Sequence, residues 1–184
     1  MDAITALTTR LSPAKLGEPG PSSEQLDRMI AAAAAAPDHG RLRPWRFVLI
    51  EGAARERFGE MLAASLRRRE PTAPAAKVEA ERKKALRAPA ILAVAAATQE
   101  NPKVPVIEQV VAVGAAAQNI LVAAHAEGLG GFWRTGAPAY DPEVKEALGF
   151  ASGDTIVGFL YLGAVALAGP PRSAEPAPIV RRLA

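Results

Sequence analysis

The sequence predicts a mixed fold of helices packed on a small sheet, α+β or α/β rather than either pure class, on three observations. Two strand-length segments, W-R-F-V-L-I and A-I-L-A-V-A-A-A, are nearly continuous in apolar residues, as strands covered on both faces should be. Helix-length segments with apolar residues at helical spacing lie between them, in the order helices, strand, helices, strand, helix, strand, helix, strand, with no internal repeat. A low aromatic share (5%) and many alanines favour helices lying close on a sheet, and 184 residues are enough for one domain with a core.

Taken in order, Asp2 is placed to cap a short helix that ends near Arg10, with Ile4 and Leu7 facing inward. A link, G-E-P-G-P, follows. Ser22 and Gln25 then stand at capping-box spacing ahead of a helix with Leu26, Met29, Ile30 and Ala33 on one face, which stops at Pro37. After the strand W-R-F-V-L-I, residues 53 to 88 are helical and charged, broken at P-T-A-P. Their basic runs alternate with glutamate and carry no interleaved aromatic residue, so they read as a solvated helix face rather than a grip on an anionic polymer. The strand A-I-L-A-V-A-A-A leads to a long helix, roughly Ile107 to Glu127, apolar on nearly every side and therefore central or buried at a subunit interface. G-L-G-G-F-W-R-T-G is a short strand with a glycine-rich entry. D-P-E-V-K-E-A-L-G is a compact helix with Asp cap, Pro at its first position and Gly after its end, and T-I-V-G-F-L-Y-L-G is the last strand. The tail holds Pro170, Pro171, Pro176 and Pro178, which allow regular structure only from I-V-R-R-L onward.

Composition narrows the function. The net charge is +3, from 22 basic and 19 acidic residues, too small an excess to argue for nucleic-acid binding. With no cysteine, disulfides, thiolate catalysis and cysteine-held metals or clusters are excluded. The two histidines, His39 and His125, lack metal-ligand spacing, so no metal site is expected. The N-terminus has no basic start followed by a long apolar run, and Val110 to Ala124, interrupted by Gln118 and Asn119, reads as too short for a bilayer. No membrane partner and a cytoplasmic location are the expectations. Walker A, G-x-S-x-G and G-x-G-x-x-G motifs do not occur.

What remains is a set of cations and hydroxyls at element ends. Arg10 and Ser12 close the first helix; His39, Arg41, Arg43 and Arg46 surround the turn after Pro37; Arg134 and Thr135 follow Trp133; and Arg172 lies in the tail. Singly, each fits helix-end capping or surface pairing. Three clusters, each joined to an apolar strand, point to an anion such as a cofactor phosphate, since each charge-assisted bond contributes about 1.5–3 kcal/mol.

P-D-H-G-R-L-R-P-W-R-F resembles the turn that nitroreductase-family flavoproteins write as P-S-S-x-N-x-Q-P-W-x-F. Arg10-Leu11-Ser12 is similar to that family's R-x-S segment, and G-G-F-W-R-T-G and V-G-F-L-Y-L-G complete a likeness running from Asp2 to about Gly163. The P-D-H form and short chain resemble a compact bacterial branch of NAD(P)H nitroreductases. The resemblance implies an α+β fold with a central, mostly antiparallel sheet flanked by helices. It also implies one domain over 1–184, an intertwined homodimer with active sites at the interface, and residues 164–184 as an extension wrapping the partner. It implies tightly bound FMN, NAD(P)H as transient donor, and hydride transfer to a small acceptor such as a nitroaromatic or quinone. Other flavin reactions on the same fold, ene or imine reduction or dehydrogenation, and a non-enzymatic FMN carrier or sensor are the alternatives.

By the same resemblance, Arg10, Leu11 and Ser12 hold the FMN phosphate, His39 reaches the flavin of the partner, and Trp133, Arg134 and Thr135 contact the flavin. Ala35 stands where relatives use arginine, so that contact falls to backbone. The relatives' nicotinamide stretch falls on Ala123, Ala124, His125, Ala126, Glu127 and Gly128. The family's cation two residues past the R-x-S serine is here Ala14, with Lys15 one step later. The turn's usual Ser, Asn and Gln are His39, Arg41 and Arg43, a more cationic site that favours a negatively charged reduced flavin. Arg43→Gln is accordingly expected to lower the flavin midpoint potential; an unchanged potential would mean that Arg43 does not face the ring.

Overall fold

The structure, a computed structural model, describes residues 1–169 and 180–183. Local chemistry places the helices. In α1 (Ala3–Thr9) the Asp2 carboxylate accepts a 3.0 Å hydrogen bond from the Thr5 amide. α2 (Ser23–Ala34) opens with the expected capping box: the Gln25 amide donates to Ser22 Oγ at 3.3 Å, and the Ser22 amide donates to Gln25 Oε1 at 3.0 Å. α3 (Ala54–Arg69) and α4 (Ala75–Arg82) fill the charged region, followed by a 3₁₀ turn at Lys83–Leu86. α5 is Val106–Ala126, and α6 (Pro142–Ala147) is capped by Asp141, whose carboxylate accepts from the Glu143 amide at 3.0 Å.

The strands form one antiparallel sheet, β1 (Lys15–Gly17), β5 (Thr155–Leu167), β3 (Ala90–Ala96) and β2 (Trp45–Glu51) in that order, with β4 (Gly130–Arg134) also paired to β5. Alternation along β3 separates two cores. Ile91, Ala93 and Ala95 pack with Phe58 and Leu62 of α3 and Val144 of α6. Leu92, Val94 and Ala96 pack with Met29 and Ala33 of α2 and Val113, Ala117 and Ile120 of α5. The fold is therefore α+β, as expected.

Several expectations are corrected. β2 is not covered on both faces: only Ile50 is buried, while Trp45, Phe47, Val48 and Leu49 are half-buried. Among the described residues it ends the sheet path and pairs with β3 alone, so the two helix layers cover it incompletely. Ile4 and Leu7 do not face inward but are 70% and 47% exposed; α1 buries only Ala6. α5 has 21 residues and contains an 18-residue window of mean hydropathy 1.6, long and apolar enough by length and composition to cross a membrane, contrary to the short reading of its apolar centre. In this fold it is the central helix, and its polar residues are used inside. Gln109, buried, donates to the carbonyls of Gln99 (2.9 Å) and Val104 (3.1 Å), and Asn119 donates to Ala32 O at 2.9 Å.

The link after α1 contains the short strand β1, unread in the sequence, and β5 runs on to Leu167 to meet it. Arg172, the prolines after Gly169 and the wrapping of a partner by the tail lie outside the described residues. Val180 to Leu183 are exposed and form neither helix nor strand.

Gly158 marks the tightest approach of β4 to β5. A Cβ there would sit 1.9 Å from Trp133 Nε1, the atom that donates to Val157 O at 3.1 Å. Gly158→Ala is therefore expected to lower stability by about 1–3 kcal/mol, read by thermal denaturation, with displacement of the indole read as a shift in tryptophan emission.

Candidate functional site

A cavity of about 520 Å³ opens on the α3 face of the sheet. Its apolar wall is Leu62 and Leu66 of α3 with Phe159, and its floor is Tyr161. Trp133, Arg134 and Thr135 border it at the end of β4, and Arg69, Glu70, Lys77, Glu81, Lys84 and Arg87 contribute from α3, α4 and the turn after it. The volume lies in the range of small-ligand clefts, roughly 300–1,000 Å³.

Strand pairing organises the floor. Phe132 and Tyr161 are register partners, and their rings stack with centroids 4.9 Å apart and planes 16° apart. Arg134 places its guanidinium 5.2 Å from the Phe132 centroid, a cation over a stacked pair. Burial pushes the Tyr161 hydroxyl up to about 12, against the pull of Arg87 and Arg134, so it remains a neutral donor at physiological pH. Of the cavity's other cations, Lys84 pairs with Glu81 at 2.6 Å and Lys77 pairs with Glu70. The Arg69 and Arg87 side chains are exposed and form no ion pair among the described residues; Arg69 only adds to the charge that Lys77 sets beside Glu70.

Arg10, Leu11 and Ser12 sit at the opposite end of β4. Arg10 caps α1, its amide donating to Ala6 O at 3.2 Å. Pro13 lies against Gly130, where a Cβ would come within 2.7 Å of the proline Cγ, and Ser12 O is 2.8 Å from where a Gly169 Cβ would be. Gly130 to Arg134 is four strand steps, about 14 Å, so β4 carries the R-L-S segment at one end and W-R-T at the other.

The Pro37 turn is held by Asp38, whose carboxylate accepts from the Arg43 amide at 2.6 Å. Its backbone is left-handed at Gly40 (φ 74°), Arg41 (φ 53°) and Arg43 (φ 48°), a conformation unusual for arginine. Arg46 donates to the carbonyls of Arg43 and Trp45, so it secures the turn. His39 Nδ1 lies 2.6 Å from Glu108 Oε2 of the same subunit, and Ala35, exposed, is the C-cap of α2. Beside the turn, an apolar groove of about 360 Å³ is lined by Pro37, His39, Ile107, Glu108, Val111, Ala112 and Ala115.

Comparison with known proteins is decisive. The model of the Nitroreductase family matches residues 16–164. The chain belongs to the nitroreductase family. This nitroreductase is 44% identical over 168 residues to the protein named "Putative NAD(P)H nitroreductase YdjA" of Escherichia coli (strain K12), covering 89% of this chain and 88% of that one. It is 34% identical over 164 residues to a Haemophilus influenzae protein of similar name, with the same two coverages. Among solved structures it resembles a nitroreductase-like family protein from Bacillus cereus at TM-score 0.84 and 24% identity, over 99% of this chain and 97% of that one. Family and relatives make the protein an oxidoreductase.

Of the residues singled out in the sequence of this nitroreductase, the fold gathers Trp133, Arg134 and Thr135 at the cavity and sets Arg10, Leu11 and Ser12 at the far end of the same strand. His39 lies instead by the apolar groove, and Ala35 is the C-cap of α2. Residues 123–128 form the last turn and cap of α5, and their polar groups are engaged inside the subunit. Glu127 receives both ends of the Arg28 guanidinium, at 2.5 and 2.8 Å, which holds its carboxyl below the usual range. Ala124 is buried, and Gly128 closes the helix at φ 80°.

His125 Nε2 is 2.9 Å from Thr9 Oγ1, and that hydroxyl already donates to Thr5 O at 2.7 Å, so it accepts from an Nε2–H. The sequence missed Arg69, Lys84, Arg87 and Tyr161 as cavity residues. The signal in retrospect is arginine in the charged region beyond what its glutamates pair. His125→Leu is expected to loosen α1, raising amide exchange around residues 6 to 10 by about tenfold with little change in global melting.

Proposed function

We propose that this nitroreductase binds FMN and carries hydride from NAD(P)H to a small acceptor such as a nitroaromatic or quinone, donor and acceptor using one site in turn. The observation that carries this reading is the arrangement along β4: an aromatic and cationic cavity at Trp133–Thr135 and the R-L-S segment packed on the other end. A flavin needs both, a flat wall with cations for its ring and forked donors for its phosphate. Arg10, Leu11 and Ser12 would hold the phosphate, and Trp133, Arg134 and Thr135 would hold the ring. Two distant relatives in fold support the choice of cofactor by their own descriptions. One is an FMN and NADPH-dependent nitroreductase, NfnB (TM-score 0.71, 19% identity), and the other is an oxidoreductase containing FMN (TM-score 0.68, 22% identity).

When bound, FMN supplies a two-electron centre that accepts and releases hydride. The chain's own residues set its surroundings. Leu62, Leu66 and Phe159 keep one side of the cavity dry, which strengthens each polar contact within it. Arg134, at the cavity, would supply fixed positive charge to a flavin that gains negative charge on reduction. Tyr161 offers a neutral hydroxyl whose donor character does not change through physiological pH.

A second copy completes the reading. Ile4 (70% exposed), Ile107 (66%) and Val111 (62%) leave an apolar surface on α1 and α5 that a homodimer would cover. In that dimer the Pro37 turn would bring His39 and Ala35 to the neighbour's flavin. The purified protein is expected to be yellow and to release FMN. Reciprocal plots at several acceptor concentrations should be parallel, whereas a colourless protein or intersecting lines would overturn the proposal.

A further inference from the structure

We infer that the acceptor taken by this enzyme carries an anionic substituent, a carboxylate or sulfonate on a planar ring, gripped by Arg69 and Arg87 at the cavity mouth. The acceptor role rests on the flavin reading above, but the anion site itself rests only on the residues of the cavity.

Among the described residues, the cations lining the cavity outnumber its carboxylates. Lys77 and Lys84 are matched by Glu70 and Glu81, and Arg134 is seated over Phe132. Arg69 and Arg87 come from different elements, the end of α3 and the residue after the 3₁₀ turn. Both line the cavity, both are exposed, and neither forms an ion pair among the described residues, although Arg69 adds to the pull that Lys77 exerts on Glu70.

The three successive arginines that end α3 have separate destinations. Arg67 borders a different surface pocket. Arg68 turns to α6, reaching Asp141 at 2.7 Å and Glu143 at 2.8 Å. Arg69 is left facing the cavity. Two guanidiniums without an ion pair at one cleft favour an anion near them, and their planar forks match a carboxylate or sulfonate better than an ammonium would.

The cofactor's phosphate does not account for them. The R-L-S segment proposed to hold it lies at the other end of β4, about 14 Å along the strand. The wall of Leu62, Leu66 and Phe159 favours an aromatic body behind the anionic group.

The test uses the purified, oxidised protein without reductant. Calorimetry measures binding of 4-nitrobenzoate and of 4-nitrobenzyl alcohol to wild type, Arg69→Gln, Arg87→Gln and the double variant. Wild type should bind the carboxylate about tenfold more tightly, with the gap shrinking in high salt and nearly vanishing in the double variant. With NAD(P)H present, the ratio of the two KM values should follow the same order.

Equal affinity for the two compounds in wild type would overturn the inference while leaving a yellow, active enzyme intact. Loss of FMN from the double variant would also overturn it, since the arginines would then hold the cofactor. A change confined to the preference for NADPH over NADH would place the anion on the donor and refute the acceptor assignment. If the protein holds no flavin, the functional reading falls and the acceptor role falls with it. Calorimetry still reports separately whether Arg69 and Arg87 bind the anion.

Discussion

One strand aligns both ends of the site. β5 pairs with β3 from Thr155 to Leu162, and its pairing to β4 from Phe159 to Gly163 gives way to β1 from Ala164 to Leu167. The W-R-T stretch is held by β4, and the R-L-S segment leads directly into β1, so their relative position follows from a single hydrogen-bonded ladder. Neither segment is placed by a flexible loop alone. The junction requires close backbone approach: a Cβ at Gly163 would lie 2.8 Å from Gly17 O, and one at Gly130 would meet Leu16, Pro13 and Val165 within 2.8 Å. Small residues here serve geometry at the site more than freedom of the chain.

The Pro37 turn shows a different use of local structure. Left-handed backbone at a residue bearing Cβ costs roughly 1–2 kcal/mol, and Arg41 and Arg43 both adopt it. The Asp38 carboxylate, bonded to the Arg43 amide, helps to offset that. Asparagine or glycine would accept the same backbone more readily, so arginine at these positions points to the side chains rather than the turn as the reason they are there. Both are exposed on the turn whose Pro37 and His39 line the apolar groove.

Local signals in the sequence were strong where a few neighbouring residues decide the outcome. The capping box at Ser22, the Asp-Pro start of α6 and the buried run of β3 all read correctly, because capping and two-sided burial leave marks within a few positions. Readings that depend on distant partners were weaker. W-R-F-V-L-I looks identical as a central or an outer strand, and only the sheet order shows that β2 has one neighbour. Ile4 and Leu7 have the spacing of an inward face, yet α1 is too short and too peripheral for its own subunit to cover them.

β1 is three residues long and exists because β5 continues past Gly163. Of the candidate site, W-R-T and R-L-S were legible through family resemblance. The cavity beside W-R-T was not, because it is made by helices that meet the sheet only in three dimensions.

The charged region from 67 to 87 shows how close a sequence reading can come without reaching the site. Its glutamates do pair as a solvated face should, Glu79 with Arg82, Glu70 with Lys77 and Glu81 with Lys84, and Glu60, earlier on α3, also reaches Arg82. What pattern alone does not reveal is which cations exceed that pairing and where they point. Net charge is only +3, yet among the described residues Arg69 and Arg87 form no ion pair at one cavity, and Arg41 and Arg43 are exposed on one turn. Near-neutral totals and concentrated positive fields are compatible because paired charges cancel locally while unpaired ones act at short range. A neutral Tyr161 at the cavity floor adds a donor without adding a cation. The recognition chemistry of the chain therefore lies in the few charges left over after folding has matched the rest.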